Sequence, residues 1–193
     1  MQTLLLKAFT DAIYPLPEAE WEAFAAIWQP FHCKRKTVLT AAGDTERYLY
    51  FVIDGVQRSY YVEESGKEAT IVFTYPPSFS GVADSFLTQT PSAYFFETLT
   101  ASLFLRTTYT QLAALMQQHP LIQAMVLKAT AFALKGVLQR QIDIQCYTAE
   151  EKFKALLKRS PHLLQIIPHK YLAQYVGMDA ATFSKLLNSV PIS

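Results

Sequence analysis

The hydrophobic period of this chain switches to that of strands near residue 34 and back to that of helices near residue 107. From Lys34 to about Arg106 apolar residues alternate with polar ones, which is the period of a half-buried strand. From Tyr109 onward they recur every three or four residues, which is the period of a helix. The alternating part divides into candidate strands at 37–39, 48–54, 56–62, 69–75, 95–100 and 102–107, rich in Val, Ile, Tyr, Phe and Thr. Turn residues separate them: Gly43-Asp44, Asp54-Gly55, Ser65-Gly66 and Pro76-Pro77. Short strands at this spacing predict an antiparallel β-barrel or jelly roll. Residues 79–93 break the alternation and leave room for a single helical turn, the place for a ligand cassette. Ahead of the strands, Trp21, Phe24, Ala25 and Trp28 predict a helix over 17–31, closed by Pro30.

In the second part, a helix over 110–118 stops before Pro120, and a long one follows from about Leu121 to Gln145. The long helix carries two apolar rows. One is Leu127, Ala131, Leu134, Leu138 and Ile142; the other is Ile122, Val126, Ala129, Ala133 and Val137. A helix apolar on two faces must bury both. One row can lie on the barrel, and an identical helix from a second copy is the simplest cover for the other. Coverage by the C-terminal helices is the alternative. Gly136 permits a close crossing. Further helices are expected at 150–159, 168–175 and 180–188.

Composition narrows the function classes. Apolar residues make up 51% of the 193, enough for a real core. Net charge is +1, but the halves differ. Residues 1–115 carry eight basic and twelve acidic side chains, while residues 116–193 carry nine and four. A net of −4 followed by +5 points either to an anionic partner for the second half, DNA foremost, or to a lysine-rich surface that merely aids solubility. Cys33 and Cys146 stand alone, with no zinc or cluster spacing, and suit a reducing cytoplasm. Neither a signal-peptide layout nor an unbroken apolar run of span length is seen, so no membrane partner is expected. No triad, metal set or phosphate loop supports an enzyme, and the cofactor is unknown, a histidine-bound haem being left open.

The most specific block is IPHKYLAQYVGMDAATFSKLLNSV, residues 167–190. Two short helices flank a turn at Gly177. Ala173 is small where they cross, Asp179 can cap the second helix, and Phe183, Leu186 and Leu187 form its buried stripe. This is the layout of a helix-turn-helix, whose second helix enters the major groove. With Leu49–Gly55 in the barrel, Phe79-Ser80-Gly81 at the cassette and Pro91-Ser92-Ala93 at its end, the chain resembles the Crp/Fnr family, the cyclic-AMP receptor type, over nearly its whole length. The resemblance implies an α+β fold: a cyclic-nucleotide-binding-domain-like barrel (1–115), a long dimerisation helix (116–147) and a winged-helix-like helix-turn-helix (148–193). The wing itself is expected to be missing, because the chain stops at Ser193. It also implies a homodimer in which an effector in the barrel repositions the DNA-reading helices.

The departures from that pattern matter. Where cyclic-AMP binders carry a ribose-holding glutamate after Phe-x-Gly, this chain has Val82; where they carry a phosphate-pairing arginine, it has Pro91. Proline offers no donor to a phosphate. Asp84 places negative charge at the start of the cassette helix. The positions facing the purine fall near Val137 and Leu138. The candidate ligand residues are therefore Gly81, Val82, Asp84, Ser85, Phe86, Pro91, Ser92, Ala93, Val137 and Leu138. Cyclic AMP is not expected to bind tightly, and the pocket is expected to be apolar, taking a neutral ligand or filled by its own side chains. In the recognition helix, Ala180 and Ala181 replace base-reading residues, leaving His169, Lys170, Thr182, Ser184 and Lys185 as further candidate DNA contacts. A regulator with an unidentified effector is one reading. An interaction module that has lost base reading is the other.

Single residues are read more plainly. His32 and Cys33 are adjacent in a strand, point to opposite faces and cannot act together. His119 and His162 each sit beside a proline at a helix boundary. Arg58 is either a surface residue, the commoner case, or an anion partner inside the barrel.

Overall fold

The computed structural model describes residues 2–190. Two helices, α1 (Gln2–Ile13) and α2 (Glu18–Ala26), precede eight strands. The strands are β1 (Gln29–Cys33), β2 (Val38–Thr40), β3 (Tyr48–Asp54), β4 (Gln57–Val62), β5 (Glu68–Thr74), β6 (Ser78–Ser80), β7 (Phe95–Thr98) and β8 (Ser102–Thr108), with helix α3 (Ala83–Thr88) between β6 and β7. They form two antiparallel four-stranded sheets, ordered β1-β8-β3-β6 and β2-β7-β4-β5. The sheets meet through Tyr50, Val52, Phe96 and Phe104, all at least nine-tenths buried, with the Tyr50 and Phe96 rings 5.7 Å apart. The alternation expected over the strand region is thus realised as a jelly roll. Its β3–β4 turn requires Gly55: φ is +92°, and an added Cβ would stand 2.6 Å from the Ala101 carbonyl.

Two expectations fail at the N-terminal side. The helix predicted over 17–31 ends at Ala26, and Gln29–Cys33 is strand β1, paired to β8 with Phe31 opposite Phe104. Pro30 does not close a helix; it lies in an edge strand, where a missing N–H is tolerated. Phe31 and Cys33 turn toward the barrel core while His32 is exposed, so burial alternates through this segment. Helix α1 was not anticipated. It covers the outer face of the first sheet, where Leu6, Trp21, Phe24, Phe51, Leu105, Leu112, Ile122 and Met125 form one buried cluster.

Helices α4 (Tyr109–Gln118), α5 (Pro120–Cys146), α6 (Ala149–Arg159), α7 (Leu163–Ile166), α8 (His169–Tyr175) and α9 (Ala180–Ser189) complete the chain. Capping boxes start α4 (Thr108 with Gln111) and α6 (Thr148 with Glu151), and Pro120 opens α5. The boundary expected at 115 falls inside α4. The long helix is apolar on two faces, and its two ends are covered while its middle is open: Ile122 and Met125 are fully buried in the first turns, and Asp143 is buried near the end, paired with Arg159 of α6. From Ala131 to Gln139 every residue is exposed, so both rows run out beyond the body of the molecule.

Helices α6 to α9 do not stand apart from the barrel. Val56, Phe73 and Leu99 share a buried cluster with Phe153, Leu156, Leu163, Ile167, Leu172, Val176 and Phe183. Each fully buried side chain of this size contributes about 1.5–3 kcal/mol, so the cluster fastens the C-terminal head to the second sheet.

Candidate functional site

The cassette is built by β6, the Gly81 turn and α3. Gly81 has φ +119°, and a Cβ there would meet the Tyr48 carbonyl at 3.3 Å. That turn aims Val82 into the barrel, where it is 3% exposed against Tyr50, Phe96 and Phe104. Phe86, one helical turn on, faces the other way. It joins the cluster under α1, α4 and α5, with its ring 5.7 Å from that of Tyr109. Val82 and Phe86 therefore do not line one cavity. Ser85 is buried; its hydroxyl accepts the Glu46 N–H at 2.9 Å and donates to the Thr90 carbonyl at 2.6 Å. Ser92 is buried too, and its backbone N–H donates to the Asp44 carbonyl. Both serines hold loops together. Asp84, Pro91 and Ala93 are exposed, as are Val137 and Leu138 at 59% and 55%. Within one chain, the structure does not bring Val137 and Leu138 to the cassette.

Two charged residues that the sequence reading did not single out stand here instead. Glu46, in the loop before β3, is 1% exposed. Its carboxylate accepts hydrogen bonds from the Thr40 hydroxyl (2.6 Å), the Tyr48 N–H (3.2 Å) and the Val82 N–H (3.3 Å). Burial pushes its pKa up, and these hydrogen bonds oppose the rise without cancelling it. Arg106 on β8 holds its guanidinium 3.9 Å over the Phe31 ring and 4.3 Å over the Tyr48 ring. Between them, Tyr50 is buried, and its hydroxyl pKa is pushed far up, first by desolvation and then by Glu46. The expected apolar lining thus carries a carboxylate and a cation. No periodicity marks Glu46, because it sits in a loop. Arg106 shares the inward register of Phe104, which is the signal that could have found it.

The C-terminal pair matches the predicted layout closely. Helices α8 and α9 flank Gly177, which has φ +67°. Asp179 caps α9: its carboxylate accepts the Thr182 N–H at 2.8 Å and the Thr182 hydroxyl at 2.7 Å. These two bonds, backbone first, hold the Asp179 carboxyl below its usual range. Ala173 is 2% exposed at the crossing, and Phe183 is fully buried against Phe153, ring centroids 5.2 Å apart. His169, Lys170, Ala180, Ser184 and Lys185 are exposed, while Thr182 is half-buried with its hydroxyl engaged by the cap. Arg58 is neither on the surface nor inside the barrel. It is 2% exposed between the second sheet and α8.

Residues 30–119 match the family model described as a cyclic nucleotide-binding domain. Among solved structures, FixK2 from Bradyrhizobium japonicum superposes with a TM-score of 0.76 at 16% identity, over 85% of this chain and 84% of that one. The c-di-GMP responsive global regulator CLP of Xanthomonas campestris superposes at 0.68 and 17% identity, over 90% of this chain and 91% of that one. The catabolite activator protein of Thermus thermophilus gives 0.57 at 19% identity, over 91% and 84%. These likenesses establish the fold. No curated protein sequence matches the chain.

Proposed function

From a cyclic nucleotide-binding domain carried on the fold of the Crp/Fnr regulators, we propose that this chain is a homodimeric DNA-binding transcription regulator that does not answer to cyclic AMP. The observation that carries the reading is the helix-turn-helix: a buried crossing, a capped second helix, and an outer face of His169, Lys170, Ser184 and Lys185 left open. Lys170 and Lys185 on this face are two of the nine basic residues of the second half and are placed to meet phosphate. The opposing reading, an interaction module without base reading, draws on Ala180 and Ala181, which are exposed at the start of α9 and offer no donor.

The dimer is supported by the open half of α5. An 18-residue window of this helix has a mean hydropathy of 1.5, enough in length and composition to cross a membrane. That qualifies the expectation that nothing here could do so. A second copy is the better cover. Lys128 and Lys135 lie in the helix, each costing about 3 kcal/mol at a bilayer centre, and its first turns are already packed on α1, α2 and α4.

The case against cyclic AMP rests on the cassette. The Val82 N–H already donates to Glu46, Pro91 has no donor, and a buried carboxylate would face any phosphate. The effector is a small molecule of another kind, or the barrel is complete without one. The test is a DNA-binding assay in a salt series, comparing the protein's own upstream region with random duplex. Preference for the upstream region is expected. Equal but salt-sensitive binding to both means backbone contact alone, and no binding at low salt favours the interaction module.

A further inference from the structure

Arg58 is a cation removed from water, and its surroundings belong to two parts of the molecule. From β4 its Nε donates to Glu97 Oε1 on β7 at 2.6 Å, and a terminal nitrogen donates to Glu68 Oε2 on β5 at 2.8 Å. Its guanidinium carbon lies 3.9 Å from the ring centroid of Tyr60, in the same strand, and 3.9 Å from that of Tyr171, in α8. The side chain is 2% exposed, Glu97 is 12% exposed and Glu68 is 36% exposed. An apolar residue would glue a helix to a sheet at lower desolvation cost. A guanidinium adds direction: its plane is fixed by in-plane bonds to two carboxylates, and a ring stacked on it must then adopt one orientation.

Tyr171 is the residue through which that direction reaches the head. It lies in the first helix of the helix-turn-helix, next to Lys170, whose Nζ is 4.6 Å from the same ring. Around it, Thr70 donates to Gln174 Oε1 at 3.1 Å, and the Phe73 and Tyr175 rings stand 5.1 Å apart. On the far side, Arg140 of α5 lies 4.4 Å over the Tyr175 ring, and Arg159 of α6 pairs with Asp143 of α5 at 2.6 Å. In this docked arrangement, Ala180, Ser184 and Lys185 on α9 remain exposed, as do His169 and Lys170.

We propose that Arg58 is the positioning residue of the DNA-reading head: clamped between Tyr60 and Tyr171, it fixes the orientation in which the barrel presents α9 to DNA. The apolar cluster supplies the adhesion and Arg58 supplies the angle. This inference rests on the proposed function for its DNA readout, but the orientation can be measured without DNA.

The experiment uses spin labels at Ser65→Cys and Asn188→Cys, both exposed, in the full chain with Cys33→Ser and Cys146→Ser. Labelled protein is diluted with unlabelled protein so that distances within one chain dominate. The parent is expected to give one narrow barrel-to-head distance. Tyr171→Leu should broaden it and weaken DNA binding about fivefold or more, within the range of coupling changes made by residues that touch no ligand. The salt slope should stay unchanged, because no phosphate contact is removed. Tyr171→Phe keeps the stacked ring and should behave as the parent. Arg58→Lys keeps the charge but loses the planar fork, and should broaden the distance as Tyr171→Leu does. A narrow, unshifted distance in both Tyr171→Leu and Arg58→Lys overturns the proposal, and so does a broadened distance with unchanged DNA affinity. If the parent binds no DNA, the proposed function falls. The distance measurements then still decide whether Arg58 sets the head's orientation.

Discussion

Replacing Leu134 by Glu tests the association of two chains through α5. The stripe that includes it is open: Leu127 is 71% exposed, Leu134 57%, Leu138 55% and Ile142 49%. Burying the open half of such a side chain returns about 1 kcal/mol, so four positions on two copies bring about 8 kcal/mol. The freedom lost on association costs about 4–15 kcal/mol, so these four positions alone leave the pair short of micromolar affinity, and further contacts along α5 must add to them. Leu134→Glu removes about 2 kcal/mol over the two copies and sets two carboxylates against each other in an apolar seam, at about 2 kcal/mol more. A loss of about 4 kcal/mol weakens the dimer roughly a thousandfold. Sedimentation equilibrium over a concentration series should therefore find Leu134→Glu pairing only at about a thousandfold higher concentration than the parent, with unchanged circular dichroism. Ala133→Glu, exposed in the other apolar row about 100° around the helix, should associate like the parent. The reasoning is refuted if Leu134→Glu sediments like the parent.

Calorimetric titration with cyclic AMP should show no binding at micromolar ligand; heat that saturates there would overturn the account of the cassette. Lys170→Ala and Lys185→Ala should each lower DNA affinity on all sequences and reduce the salt slope by about 1, read by fluorescence anisotropy. Because burial raises the Glu46 pKa, its contribution is fully present in acid and is lost as pH rises through the raised value. Urea unfolding of the parent and Glu46→Gln should accordingly show the parent's advantage shrinking as pH rises above the ordinary glutamate range, and a pH-independent difference would remove that assignment. Gly55→Ala should cost more than about 1 kcal/mol in the same assay, since its φ of +92° and the nearby Ala101 carbonyl leave no place for a methyl group.

What the sequence revealed followed what burial alone dictates. The change of period separated strands from helices because each strand of the jelly roll has one face on a core. The Gly177 turn, the Asp179 cap and the Phe183 stripe are local chemistry, and local chemistry is written in adjacent residues. Strand β1 was misread because Trp21, Phe24 and Trp28 carry the helical period up to its edge, and Pro30 is as much at home in an edge strand as at a helix end. The partners of Arg58 lie 39 and 10 residues away in sequence, and its second ring 113 away. No spacing rule joins Glu68, Glu97 and Tyr171 to it. Glu46 was invisible for a related reason: its three donors come from two strand ends and a turn.

The charged groups in the barrel bear on which kind of sensor is possible. A barrel that held an anionic ligand would keep the backbone donors of its cassette free for it. Here a carboxylate of the chain takes one of them, and the guanidinium of Arg106 is spread over two aromatic rings rather than aimed at an oxyanion. An effector that displaced Glu46 would have to replace three hydrogen bonds to a buried carboxylate and leave it unpaired, a cost of several kcal/mol. A neutral molecule entering beside Val82 without disturbing Glu46 meets no such barrier. For the regulator proposed above, the effector that this arrangement favours at the cassette is an uncharged one rather than a nucleotide. It would act on DNA reading only by binding more tightly to one arrangement of α5 and the head than to another.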